Sequence, residues 1–114
     1  MAGRQVDLWF SESKCTGLGL GDYDCNILAD ECAYYFHNGA ACNEQVQFPG
    51  GHFVDIYSDC AAGKGIRIAY YTSKSGSAGD WTCTGKEKVV EYHEGGCHNI
   101  DVGFEPNCFW YDCI

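Results

Sequence analysis

Basic residues are scarce in this chain: seven Lys and Arg stand against 16 Asp and Glu, for a net charge of −9. Binding to nucleic acid by counterion release depends on clustered Lys and Arg, and attraction to an anionic membrane surface needs the same residues. The apolar runs are only a few residues long, which is too short for a transmembrane helix. The composition therefore argues against nucleic acid and membranes as partners.

Several motifs that would carry chemistry are also missing. There is no Cys-x-x-Cys pair, as a zinc ribbon or a thioredoxin-like redox site would need. Glycines stand at 17, 19 and 21, but no GK[ST] follows, so we expect a Gly-rich loop over 11–23, pinned at Cys15, and no phosphate cradle. Neither an N-glycosylation sequon nor a Gly-x-Ser-x-Gly nucleophile motif is present. We expect no cofactor, no metal and no enzymatic activity.

Cysteine, by contrast, is abundant, with nine residues spread over the 114. Such a content is typical of a secreted domain held by disulfides, so we expect one domain, 1–114, in an oxidising extracellular compartment. The start Met1-Ala2-Gly3 lacks the apolar run of a signal peptide, which favours a mature domain. We expect four bridges among eight cysteines: Cys15, Cys25, Cys32, Cys42, Cys60, Cys83, Cys97 and Cys108. The odd sulfur is then Cys113, with Cys108 as the alternative, either free or joined to a second chain as a homodimer.

One stretch, 24–42, has helical periodicity. Leu28, Cys32, Tyr35 and Phe36 form an apolar stripe at i, i+4, i+7 and i+8, and Asn38 followed by glycine resembles a helix end. This pattern predicts one helix at about 25–38. Alternating apolar residues elsewhere predict strands at 4–10, 52–58, 65–72, 86–93, 99–104 and 108–114. The predicted fold class is α+β: about six antiparallel strands, flat or curled toward a barrel, with one helix packed on them.

The histidines allow two chemical interpretations. Glu91, His93, Glu94 and His98 cluster near one turn, but the spacing is not that of a known zinc site, and solvated polar residues at a strand end explain it better. A guanyl-specific ribonuclease would need a Glu, an Arg and two His as acid, base and phosphate ligand. Its candidates here are His52, Arg67, Glu91, His93 and His98, with the order of Glu and Arg inverted.

Aromatic residues are the clearest candidates for binding. The chain has three Trp and eight Tyr, and several stand side by side, as in Phe109-Trp110-Tyr111. Neighbours on a strand face opposite ways, so one of each pair must point outward. Outward rings suit a protein interface or stacking on sugar rings. We expect a binding surface that includes Trp81, Trp110 and Tyr111.

In mature length, cysteine content, acidic balance, Gly-rich turns and the closing CFWYDCI, the chain resembles the small secreted cysteine-rich proteins of filamentous fungi, a class that includes effectors and elicitors of plant defence. The resemblance implies a non-enzymatic protein that acts outside the cell and binds a host protein or glycan. A small secreted hydrolase of ribonuclease type and a carbohydrate-binding module are the alternatives.

Overall fold

The computed structural model describes residues 3–28, 31–33, 45–58 and 65–114. Within these ranges the chain forms nine strands and no helix. They are β1 (Gly3–Ser13), β2 (Thr16–Leu28), β3 (Glu31–Ala33), β4 (Val46–Gln47), β5 (Phe53–Ser58), β6 (Ile66–Ser77), β7 (Asp80–Tyr92), β8 (Gly96–Asn99) and β9 (Cys108–Cys113). Among the described residues, no helix has the length and apolar character needed to cross a bilayer.

The strands form two antiparallel sheets whose inner faces pack together. One sheet has the order β3-β2-β1-β5-β8, and the other has the order β4-β9-β6-β7. Neither closes into a barrel. In β1, Val6, Leu8 and Phe10 are fully buried, which is the alternation expected of a strand with one face in a core. In β6, on the opposite sheet, Ile66 and Ile68 are likewise buried in the core.

The centre of the core is aromatic and joins the two sheets. Phe109 of β9 lies with its ring centroid 5.2 Å from that of Phe10 and 5.1 Å from that of Tyr23, both in edge-to-face geometry. The hydroxyls of Tyr70 and Tyr92 share a buried hydrogen bond of 2.9 Å. Burial raises the pKa of Tyr70 well above its ordinary value. The core thus depends on rings that come from distant parts of the chain.

The predicted helix at 25–38, and with it the α+β class, is wrong for the part that the structure describes. Residues 24–28 continue β2 and pair with Asp7–Gly3 of β1, while Cys32 of β3 pairs with Ile27. A short helix gains little stability from its own hydrogen bonds. Extending β2 along β1 adds cross-strand hydrogen bonds to a hairpin whose turn is already formed, so no further loop has to be closed. The rest of the predicted helix, 29–30 and 34–38, lies outside the described residues.

Other boundaries also differ from those predicted. The Gly-rich loop over 11–23 is largely strand, and the chain reverses at Lys14 and Cys15, which both have positive φ (52° and 62°). The strands predicted at 52–58 and 65–72 do not pair with each other, because β5 and β6 belong to different sheets. The strand predicted to end at 72 continues as β6 to Ser77, and the strand predicted at 99–104 is replaced by β8, which ends at Asn99. The boundaries differ because core packing, and not the local sequence pattern, determines which strands pair and how far each one extends.

The prediction of disulfide bonds is confirmed at two places. Cys15 in the β1–β2 turn is bonded to Cys97 in β8, and Cys83 in β7 is bonded to Cys108 in β9. The alternative that Cys108 is the odd cysteine is therefore wrong. The other sulfur assignments lie outside the part of the chain whose side chains the structure describes; they concern Cys25, Cys32, Cys42, Cys60 and Cys113.

Candidate recognition surface

The outer face of the β9-β6-β7 region carries two of the three aromatic residues that the sequence predicts for binding, Trp81 and Trp110. Ala69 in the middle strand pairs with Val89 on one side and Trp110 on the other. The next row places Tyr71 opposite Glu87. Since alternate residues of each strand point away from the core, these side chains share one face. Arg67 and Tyr71 are both half-buried on this face.

Trp110 contacts Arg67 on this face, and Arg67 is in turn bound to the carboxylate of Asp112. The guanidinium carbon of Arg67 lies 5.4 Å from the centroid of the Trp110 ring, within cation–π range. Arg67 donates two hydrogen bonds to Asp112, from Nε at 2.7 Å and from Nη2 at 2.9 Å. These bonds raise the pKa of Arg67 above its ordinary value. The bidentate geometry fixes the plane of the guanidinium, which in turn orients the indole beside it.

Tyr71 secures the other side of the indole. Nε1 of Trp110 donates a hydrogen bond of 3.1 Å to the Tyr71 hydroxyl, which itself donates to Glu87. Partial burial and the Glu87 hydrogen bond raise the pKa of Tyr71. Ala69, which pairs with both Val89 and Trp110, is fully buried, whereas Val89 is 40% exposed. We call Arg67, Tyr71 and Trp110 the aromatic–arginine cluster.

Trp81 lies on the distal half of the β6–β7 hairpin. A bulge between Tyr71 and Ser73 shifts the register there, and the backbone N–H of Lys86 donates to the Thr72 hydroxyl at 2.9 Å. Gly85 has a φ of 84°, and a Cβ at this position would overlap the Thr72 hydroxyl, so the bulge needs glycine. The bulge thus lies at the junction between the proximal and distal halves of the hairpin.

Two further contacts hold this half in place. Cys83 is joined to Cys108, and its backbone N–H donates to Oε1 of Gln45 at 2.6 Å. Trp81 is two residues from Cys83, just as Trp110 is two residues from Cys108, so both Trp side chains lie on the face of the disulfide. The Nζ atom of Lys74 lies 5.3 Å from the centroid of the Trp81 ring. A second cation–aromatic pair therefore accompanies the cluster.

Tyr111 does not belong to this surface. Its side chain is fully buried and stacks on Phe109 with a centroid distance of 6.0 Å. Trp110 and Tyr111 are neighbours on one strand and necessarily face opposite sides. Only one of them could be a surface residue, and the core contains Tyr111.

The structure brings three residues of the ribonuclease alternative together, Arg67, Glu91 and His93, whereas His52 and His98 have other partners. Arg67 of β6 pairs with Glu91 of β7 although its guanidinium is bound to Asp112, and Nε2 of His93 lies 3.2 Å from Oε1 of Glu91. Nε2 of His98 lies 2.7 Å from the carbonyl oxygen of Glu94, and His52, just before β5, contacts Glu12 and Glu105. Over residues 3–28, 31–33, 45–58 and 65–114, no group of three or more His, Cys, Asp or Glu side chains is placed to hold a metal ion.

His52 gives a testable pH dependence. Hydrogen bonds to Glu12 and to Glu105 raise its pKa above 6.5. A raised folded pKa means that protonation stabilises the fold at low pH and that this stabilisation is lost as pH rises through the folded pKa. An NMR titration of the His52 ring will give a pKa above 6.5, which will fall toward 6.5 in a Glu12→Gln/Glu105→Gln variant. Glu87→Gln, on the opposite sheet, is the control, and an equal fall there would contradict the assignment.

Sequence reasoning missed the partners of Trp110. Arg67 and Asp112 are 45 residues apart, and Trp110 and Tyr71 are 39 apart. Alternation could place each on an outward face but could not pair the strands.

No protein-family model, no curated protein and no solved structure matches this chain. The geometry described above is therefore the basis for a functional proposal.

Proposed function

We propose that this chain is an extracellular, non-enzymatic recognition protein of the effector or elicitor type, which binds a protein partner through the outer face of β6, β7 and β9. The two disulfides are consistent with an oxidising extracellular compartment. The acidic composition and the style of the chain resemble small secreted proteins of fungi, whose partners are components of a host. The proposed surface contains Trp110 and Trp81, without Tyr111.

The observation that carries this proposal is the aromatic–arginine cluster. Trp, Tyr and Arg are the residue types most enriched at the energetic centres of protein interfaces. Here one of each is joined by a cation–π contact and a hydrogen bond, and the bidentate ion pair with Asp112 adds rigidity. Side chains that are ordered before binding lose less conformational entropy in a complex. The face is therefore organised as an interface needs to be.

The same geometry favours a protein over a glycan. Sugar rings stack on the open face of an aromatic ring, but the guanidinium of Arg67 already lies over Trp110. The indole N–H is also occupied by Tyr71. A protein surface can pack against the ring edges, the aliphatic part of Arg67 and Val89. Binding to carbohydrate is kept as an outcome of the test.

The test uses the immobilised whole protein and plant apoplastic fluid. A protein captured by the parent chain is identified by mass spectrometry, purified and measured by calorimetry. Trp110→Ala should lower its affinity by about 2 kcal/mol or more, equal to a factor of about 30, because an interface anchor is lost. Arg67→Lys should weaken binding as well, since lysine keeps the charge but not the bidentate geometry.

Leu18→Ala is the matched control, because Leu18 is 87% exposed in the other sheet and its removal should leave the affinity unchanged. Circular dichroism verifies that each variant is folded. Full affinity in a folded Trp110→Ala variant would contradict the proposal. Retention on chitin or glucan that is lost in the same variant would replace the protein partner by a glycan.

A further inference from the structure

A second surface, on the outer face of the other sheet, has a different character. It is an open groove of about 240 Å³ across β2, β1 and β5, lined by Asp7, Trp9, Asp22, Asp55 and Tyr57. Tyr57 is 58% exposed, which is unusual for so large a ring in a small domain. The groove lies on the opposite side of the molecule from the aromatic–arginine cluster, so nothing in the proposed function uses it.

The strand register explains why rings and carboxylates alternate here. Trp9 pairs with Asp22 on one side and with Asp55 on the other. Two residues along β1, Asp7 pairs with Tyr57. Side chains directly opposite one another in antiparallel strands have Cβ atoms about 4.5–5.5 Å apart. Each ring therefore has a carboxylate next to it, within reach of one small ligand.

Trp9 is positioned by a glycine of the Gly-rich segment that the sequence predicts to be a loop. The indole lies so close to Gly19 of β2 that a Cβ at that position would overlap it. Glycine at 19 thus allows the ring to lie against the β2 backbone along one side of the groove. Gly19 therefore has a packing role in this groove.

We propose that this groove binds the side chain of an arginine or lysine from a basic segment of a protein. Aromatic faces attract organic cations, and carboxylates accept hydrogen bonds from guanidinium or ammonium groups. Three carboxylates beside two rings supply both interactions, and the net charge of −9 on the chain favours a basic partner. A volume of about 240 Å³ is below the range for drug-sized ligands, so it suits one side chain.

The proposal is tested by NMR titration of the intact, oxidised protein with a short peptide whose only charged group is one arginine side chain. The matched probe is the same peptide with citrulline, which keeps the shape and removes the charge. The arginine peptide should shift the Trp9 indole and the Tyr57 resonances, and the citrulline peptide should not. Asp55→Asn should weaken binding about tenfold, as expected for loss of one charge-assisted contact.

Asp80→Asn, at the start of β7 in the other sheet, changes the net charge equally at a distance and should leave the affinity within about twofold, since exposed charges are screened beyond about 10 Å. No shift at Trp9 with the arginine peptide, or equal shifts with citrulline, would overturn the proposal. Equal weakening by Asp55→Asn and Asp80→Asn would also overturn it, because the affinity would then depend only on the net charge of the protein. Shifts produced only by a glucosamine oligomer would replace the peptide with an amino sugar.

Discussion

A Phe109→Ala variant will lose about 3–5 kcal/mol of unfolding free energy, the cost typical of truncating a buried phenylalanine. Phe109 is fully buried, and its ring lies within 6.0 Å, centroid to centroid, of four others, those of Phe10, Tyr23, Phe48 and Tyr111. Its removal leaves a cavity that these large, mutually packed rings cannot fill without leaving their edge-to-face contacts.

Chemical denaturation of the oxidised protein measures this loss. Tyr57→Ala is the control, because that ring is 58% exposed and its truncation should cost less than about 1 kcal/mol. A loss below about 1 kcal/mol for Phe109→Ala, or equal losses for both variants, would show that the two sheets do not share this aromatic centre.

Replacing both Cys15 and Cys97 by serine will destabilise the fold by about 4.5 kcal/mol in the chain-entropy model, because the bridge closes a span of 82 residues. The Cys83→Ser/Cys108→Ser variant, with a span of 25 residues, should lose about 3.5 kcal/mol. The first bridge also fixes a two-residue turn in which Lys14 and Cys15 both have positive φ, a conformation that non-glycine residues adopt at a cost.

Thermal and denaturant unfolding of the two double variants decides between these values. The variant that lacks the Cys15–Cys97 bridge is expected to be less stable than the variant that lacks the Cys83–Cys108 bridge. The reverse order would mean that local packing around each sulfur, and not the constraint on the unfolded chain, determines the contribution of each bridge. Full stability in the Cys15→Ser/Cys97→Ser variant would contradict the assigned pairing.

Local patterns predicted individual strands well and their partners poorly. Val6, Leu8 and Phe10 alternate with polar residues, and this alone placed β1 with its correct inner face. The same alternation identified most of β5 and the start of β6. Which strands pair is decided by contacts between residues far apart, such as Phe10 with Phe109, and no local pattern records them.

The failure at 25–38 has the same origin. Leu28 and Cys32 lie four residues apart, which suits a helix, but this spacing also arises in two strands of a hairpin. Ile27 and Cys32 are paired across β2 and β3. Helical periodicity over so few apolar residues cannot distinguish these cases, and the pairing of residues 24–28 with β1 decides the outcome.

The candidate surface was half predictable. Alternation requires either Trp110 or Tyr111 to face solvent, but it does not say which, and only the position of β9 between β4 and β6 settles that Tyr111 is inside. The groove around Trp9 was not predictable at all. It depends on Asp22 and Asp55, which flank Trp9 only once β2 and β5 have paired with β1.

The arrangement of the strands has a consequence for the speed of folding. Sequence neighbours pair in both sheets, β1 with β2 and β2 with β3 in one and β6 with β7 in the other, and hairpins form in about 1–10 μs. The partners that complete the sheets come from far along the chain: β5 joins β1, and β9 joins β6. Chains dominated by such non-local pairing fold in milliseconds to seconds. The β1–β2 and β6–β7 hairpins are thus early-forming units, and the Cys15–Cys97 bridge reaches its native surroundings only when β8 has joined the sheet of β1 and β2.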